Sequence, residues 1–230
     1  MNALYSTVIL PLFNKSVPID EGELKQKVIQ FATSIGFSIR NIYLIDGSKR
    51  TTKANAFFTG FGSKKRIFLY DNLIHNLSND EIVAVVAHEL GHYKKRHVWM
   101  NLTVGLIQSA IFLYLFNLVS QNIEFTKAMS VDSKIPVFYL NLLCFILLVE
   151  PIQIILNIFT NSLIRRMEFA ADRFASDYNY GKELISALTK LSSLNFSNLT
   201  PHPFYVIVNY SHPTLFDRIK AILSHNIKVQ

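Results

Sequence analysis

Two apolar runs constrain this chain more than any other feature. Leu102 to Ser120 contains no charged side chain, and Ile135 to Ile164 contains one, Glu150. A helix of about 20 apolar residues crosses a hydrocarbon layer of about 30 Å, because it satisfies its own backbone hydrogen bonds. Both runs are long enough, and they predict transmembrane segments at about 102–120 and 135–164 with a short loop between them. A charge inside a span needs protein or water beside it. Glu150, next to Pro151, is therefore expected as a buried, hydrogen-bonded or protonated carboxyl at a helix kink.

The flanking charges orient this pair. Lys94, Lys95 and Arg96 precede the first span, and Arg165 and Arg166 follow the second. In the connecting loop Lys127 and Lys134 are balanced by Glu124 and Asp132. The positive-inside rule then places residues 1–101 and 165–230 on the cytoplasmic side, where they can build one domain around the lipid bilayer segments 102–164. The net charge of +7 is not interleaved with stacking aromatics, so no nucleic-acid partner is expected. The lone Cys144 excludes an internal disulfide and, within an apolar run, reads as packing. The first residues lack a basic stretch, and Pro11 and Asn14 interrupt their apolar run, so they do not read as a signal peptide.

The chemistry is concentrated in His88-Glu89-Leu90-Gly91-His92. Histidines four apart on a helix lie about 40° apart around the axis and about 6 Å apart along it. Both imidazoles can then share one metal ion, and the glutamate between them can act as general base toward water. Ser78 and Glu81 form a capping box, and Ile82, Val83, Val86, Ala87 and Leu90 continue as an apolar stripe, which predicts the helix. The bland alternative is a solvated helix face carrying two histidines. A catalytic zinc takes three protein ligands, and Glu168 is the candidate for the third. Asp172, one turn further, can accept the remaining ring N–H of a ligating histidine and fix its tautomer.

The rest of the chain supplies a scaffold. Glu21 to Ile35 has helical spacing, and Asn41–Ile45 and Arg66–Tyr70 read as short strands. Between them Asn55 to Gly60, including Ala56 and Phe57, is a further strand candidate. It is either an ordinary sheet strand or a strand that pairs with an extended substrate. The helix carrying Glu168 is expected to reach about Tyr178, and another covers Lys182 to Leu194. Pro213 suits the first turn of a last helix. His212 at its start can donate to a developing oxyanion, with Arg218 nearby. His75, His97, His202 and His225 read as surface or packing residues. If the helix of His92 runs unbroken to Asn101, the metal lies about 13 Å along it from the first span, close to the membrane surface.

Taken together, these stretches resemble the type I CAAX prenyl endopeptidases, zinc metalloproteases of the endoplasmic reticulum that process prenylated proteins and a fungal mating pheromone. The resemblance rests on residues 11–15, 46–50, 55–60 and 65–67, His88 to His92, Arg165 to Phe169 and Ser211 to Pro213, in order over nearly the whole chain. It implies a mainly α integral membrane protein whose two transmembrane helices are continuous with a zincin-like catalytic domain that includes a small β-sheet. It implies one Zn2+ held by His88, His92 and Glu168, with Glu89 as base and then acid and Asp172 behind His88. It also implies His212 and Arg218 as supporting catalytic residues, and the strand of Asn55, Ala56 and Phe57 as the substrate's neighbour. The substrate would be a prenylated CaaX protein losing its last three residues, with a second, upstream cut in pheromone-type precursors. The related heat-shock type implies one alternative, a membrane quality-control protease, and the missing half of the family's length leaves another, a membrane scaffold or inactive remnant. Ala170 departs from the family's usual glutamine, and Lys53-Ala54 from a more polar pair. The family's enzymes have seven spans, so a chain with two reads as a fragment.

Overall fold

The computed structural model describes residues 16–39, 41–48, 56–59 and 66–229. These fall into two compact units. The first comprises the described residues up to His97, together with 166–201 and those from Pro213 onward; the second comprises 98–165 and 202–212.

A four-stranded sheet and a set of helices form the first unit. Strands β1 (Ser16–Pro18), β2 (Asn41–Ile45), β3 (Ala56–Thr59) and β4 (Arg66–Tyr70) lie in the order β1-β2-β4-β3. β2 and β4 are parallel, and the two outer strands pair antiparallel. Ile67, Phe68 and Leu69 of β4 are all buried, as befits a central strand covered on both faces. Helix α1 (Glu23–Ser34) buries Leu24, Val28, Phe31 and Ala32, one stripe at helical spacing. It stops where Gly36 adopts φ +66°, with Gly36 N–H donating to the Thr33 carbonyl and Phe37 N–H to that of Ala32. This left-handed cap favours glycine because it has no Cβ to clash. The short helix α2 (Asp71–Asn76), like β1, carries no sequence pattern strong enough to announce it.

Helix α3 (Asn79–Lys94) is the centre of this unit. Its capping box is complete: the Ser78 hydroxyl accepts from Glu81 N–H, and the Glu81 carboxylate accepts from Ser78 N–H. The apolar stripe expected from sequence is only part of what it hides. Every residue from Glu81 to His88 is buried, because α1, β3 and α7 (Gly181–Leu194) pack around it. Helix α9 (Leu215–Val229) packs in turn on α7.

The second unit contains most of α4 (His97–Ser120), α5 (Ile123–Ala128), the first part of α6 (Phe138–Asp177) and α8 (Pro203–Asn209). Both α4 and α6 are long and apolar enough to cross a membrane. Their connection is ordered by Asn141, which is fully buried. Its amide donates to the carbonyls of Val119, Ser120 and Asn122, and its oxygen accepts from Thr126 Oγ1. One side chain thereby satisfies carbonyls left over at the end of α4. Gln108 Nε2 donates to Thr160 Oγ1 at 2.8 Å between the two long helices. Arg165 Nη1 donates to the carbonyls of Val206 and Tyr210, holding the end of α8. Cys144 is buried, with its thiol toward the Phe125 carbonyl, which fits the packing role.

Glu150 differs from expectation. It is exposed, not buried, and α6 continues unbroken through Pro151. Glu150 lies on a part of α6 where Ile146, Leu147, Leu148, Ile154 and Ile155 are exposed as well, so among the described residues nothing buries it.

Candidate metal centre

Two helices of the first unit bring the chemistry together. α3 carries His88, Glu89 and His92, and the last part of α6 carries Glu168 and Asp172. Their crossing is close because position 91 has no side chain. A Cβ there would lie 3.0 Å from Ala171 Cα and 3.1 Å from Phe174 Cβ. The small Gly91-Ala171 contact lets the two i, i+4 pairs meet.

The meeting is tight. His88 Nε2 lies 3.2 Å from His92 Nε2 and 3.6 Å from a Glu168 oxygen. His92 Nε2 lies 3.3 Å from the other Glu168 oxygen. The three ligand atoms all fall within 4.8 Å of one another, so the group can hold a metal ion. His88 and Glu168 are buried and His92 is partly so.

The donor set fits a metal on its own chemistry. His88 Nδ1 lies 2.8 Å from Asp172 Oδ1, which places the ring proton on Nδ1 and the lone pair on Nε2. Ring and carboxylate lone pairs thus converge where only a cation makes their proximity favourable. Two nitrogens and one carboxylate are the His2Glu set of catalytic zinc sites.

Behind this group lies an ion pair. Arg218, reaching in from α9, donates from Nε to Asp172 Oδ2 at 2.8 Å and from Nη2 to Oδ1 at 2.6 Å. This bidentate geometry holds Asp172, which is 1% exposed, in the plane that meets His88. Arg218 Nη1 is also 3.8 Å from Glu168 Oε2. Burial would push the arginine down, but Asp172 and Glu168 more than offset it and hold it above its ordinary value. Sequence placed Arg218 near the chemistry; the structure makes it the partner of Asp172.

Glu89 projects beside the cluster. Burial pushes its carboxyl above the ordinary range, opposed by His88 and His92 and reinforced by Glu168. A carboxylate so placed accepts a proton more readily than one in water.

His97, expected as a surface or packing residue, is buried beside His92. His97 is 5% exposed, and its Nδ1 lies 2.9 Å from Nδ1 of His92. The helix of His92 does not run on to Asn101 as expected. α3 ends at Lys94, and Arg96 adopts φ +57° before α4 starts at His97. A left-handed residue other than glycine is uncommon, and no sequence signal for it exists at Lys95-Arg96. The other three fit their expected roles. His75 is exposed, His202 caps α8 by accepting from Phe204 N–H, and His225 pairs with Asp177.

The remaining candidates are placed as follows. Asn55 lies outside the described residues. Ala56 and Phe57 are in β3, at the edge of the strand order and against α3. The side chain of Phe57 is buried, stacked on Phe68 with ring centroids 5.2 Å apart, so it serves the sheet. His212 is exposed, in the bend before α9, and belongs to the second unit.

A helical HExxH pair completed by a carboxylate from a second helix defines the metallopeptidase class. The chain belongs to peptidase family M48, whose family model matches residues 18–226. It is 38% identical to the CAAX prenyl protease 1 homolog of Arabidopsis thaliana over 227 residues, which cover 96% of this chain and 52% of that protein. It is 34% identical to CAAX prenyl protease 1 of Saccharomyces cerevisiae, with 93% of this chain and 50% of that protein covered. The crystal structure of S. mikatae Ste24p superposes with a TM-score of 0.85 at 35% identity, over 95% of this chain and 53% of that one. The chain thus spans about half the length of these relatives.

Proposed function

We propose that the chain carries the zinc site of a metalloendopeptidase that removes the last three residues of prenylated CaaX proteins. The observation that carries this reading is the convergence of His88, His92 and Glu168, with Glu89 beside them and Asp172 fixing His88. The names of the relatives supply the substrate class. An upstream cut in pheromone-type precursors belongs to the same proposal.

In this reading, His88, His92 and Glu168 hold one Zn2+. When bound, the metal supplies Lewis acidity toward the scissile carbonyl and toward water. Glu89 takes a proton from the attacking water and returns it to the leaving amine. Asp172 keeps the His88 proton on Nδ1, and Arg218 keeps Asp172 in place. His212, six residues before Arg218, donates to the developing oxyanion. The edge strand β3, which begins at Ala56, offers backbone groups to an extended substrate, and Asn55 precedes it in the sequence.

The two long apolar helices support a place in a membrane, in this reading that of the endoplasmic reticulum. The basic residues Lys94 to Arg96 and Arg165-Arg166 support a metal site on the cytoplasmic side. That location suits a substrate held to the bilayer by its own prenyl group.

The test compares a farnesylated CaaX peptide with the same peptide lacking the lipid, using the chain in detergent with added zinc. Chelator-sensitive release of the tripeptide from the farnesylated peptide alone is expected. Equal cleavage of both peptides would replace this reading with a quality-control protease, and cleavage of neither would remove the activity assigned to this chain.

A further inference from the structure

We propose that His97 is the positioning residue of His92, doing for the second histidine of the motif what Asp172 does for the first. The inference rests on the metal-site reading above and extends it to a residue outside the HExxH motif.

The argument starts from the proton on His92. Its Nε2 faces His88 Nε2 at 3.2 Å and Glu168 Oε1 at 3.3 Å. A ligating Nε2 must offer its lone pair, so the ring proton sits on Nδ1. That N–H needs an acceptor, and His97 Nδ1 stands 2.9 Å away. His97 therefore accepts at Nδ1 and carries its own proton at Nε2. The ring centroids are 4.9 Å apart with 75° between the planes, so with Nδ1 facing Nδ1 at 2.9 Å the rings meet edge to edge with their planes twisted. This contact holds the His92 tautomer from the side away from the metal site.

The backbone is shaped for this contact. On an unbroken helix, residues five apart lie about 140° apart around the axis, and His97 would point away from His92. Instead α3 closes with Lys95 N–H donating to the Gly91 carbonyl and Arg96 N–H to that of Tyr93. Arg96 then takes φ +57°. A non-glycine residue in that region costs about 1–2 kcal/mol. The turn brings His97, 5% exposed, back over the outer face of His92. His92 needs such support more than His88, because its side chain is 22% exposed against 9%. Supporting partners of ligating histidines are typically worth about 10- to 100-fold in metal affinity.

The test measures zinc affinity of the full chain in detergent, by competition with a chromophoric chelator, for the wild type, His97→Phe and His97→Asn. Phe keeps a ring but no acceptor, while Asn places a carbonyl oxygen near the position of Nδ1. Helicity and unfolding midpoint in excess EDTA are matched first, with His97→Ala replacing Phe if that variant does not fold. Zinc affinity is expected to fall about 10- to 100-fold in the Phe variant and to recover most of that loss in the Asn variant. Wild-type affinity in the Phe variant would overturn the proposal. Equal losses in both would overturn it too, since they would make His97 a matter of packing. A wild-type chain that binds no zinc would instead remove the metal-site reading itself.

Discussion

Gly91 of α3 lies against Ala171 of α6 so closely that a Cβ at position 91 would come within 3.0 Å of Ala171 Cα and 3.2 Å of its carbonyl oxygen. The second variable position of the HExxH motif therefore sets the spacing between the two helices that carry the candidate metal ligands.

Gly91→Ala is expected to lower zinc affinity about tenfold or more. Alanine gains up to about 1 kcal/mol in helix propensity. Overpacking costs about 1–3 kcal/mol, and it prevails here because the neighbours are two backbone atoms of Ala171 and the Phe174 Cβ, none of which can rotate away. Metal titration together with denaturant unfolding checks both effects. Wild-type zinc affinity in the alanine variant would show that the close crossing is not what brings Glu168 to the histidines.

Glu89→Gln removes the proposed base while keeping the size and the three candidate ligands. Zinc content by elemental analysis is expected to stay at one ion per chain, and peptide cleavage to fall by about 10²–10⁴-fold. Cleavage at the wild-type rate would end the assignment of Glu89 as general base.

Asp172 has two tasks that double substitution separates. Asp172→Leu strips His88 of its acceptor and leaves the Arg218 guanidinium buried without its partner. Breaking a buried pair in this way costs about 3–5 kcal/mol. Adding Arg218→Met removes the stranded charge, and unfolding experiments in chelator are expected to recover much of the stability. Zinc affinity is expected to stay low in the double variant, because His88 still lacks its acceptor. Recovery of zinc affinity along with stability would mean that Asp172 acts only through the ion pair.

Acid stability should depend on Glu81. Burial pushes its carboxyl up, but hydrogen bonds from Lys190, Ser186 and Ser78 N–H outweigh it and hold it at about 2, against an ordinary 4.5. A carboxyl depressed by folding stabilises the native state above its unfolded value and loses that contribution as pH falls through the folded one. The window is therefore from about 4.5 down to about 2. Glu81→Gln is expected to lower stability at neutral pH and to flatten the acid limb of the unfolding curve across that window. An unchanged acid limb would contradict the role. Added salt should weaken the effect only in part, because Lys190 is half exposed while the bonds from Ser186 and Ser78 carry no opposite charge.

Much of the site was readable because it is built from local periodicity. His88 and His92, and Glu168 and Asp172, are i, i+4 pairs whose shared face follows from helix geometry alone. The capping box at Ser78 and Glu81 is local too, as are the two apolar runs. Arg218 was readable as a neighbour of the chemistry, yet its bidentate grip on Asp172 depends on how α9 packs, and no spacing rule reaches across 46 residues of chain. The strand candidate at Asn55 to Gly60 was readable as a strand. Its edge position depends on β2 pairing with β4 in parallel and leaving β3 outside.

His97 marks where sequence alone stops. Periodicity along α3 and α4 assumes one continuous helix, on which His97 faces away from His92. A single left-handed residue, Arg96, re-aims everything after it. The residue types themselves determined the chemistry available here: two imidazoles, a base between them, two carboxylates a turn apart, and apolar lengths fit for a bilayer. Tertiary structure decided which of those groups meet, because a break in one helix and a missing side chain at Gly91 act on distances that no local pattern encodes.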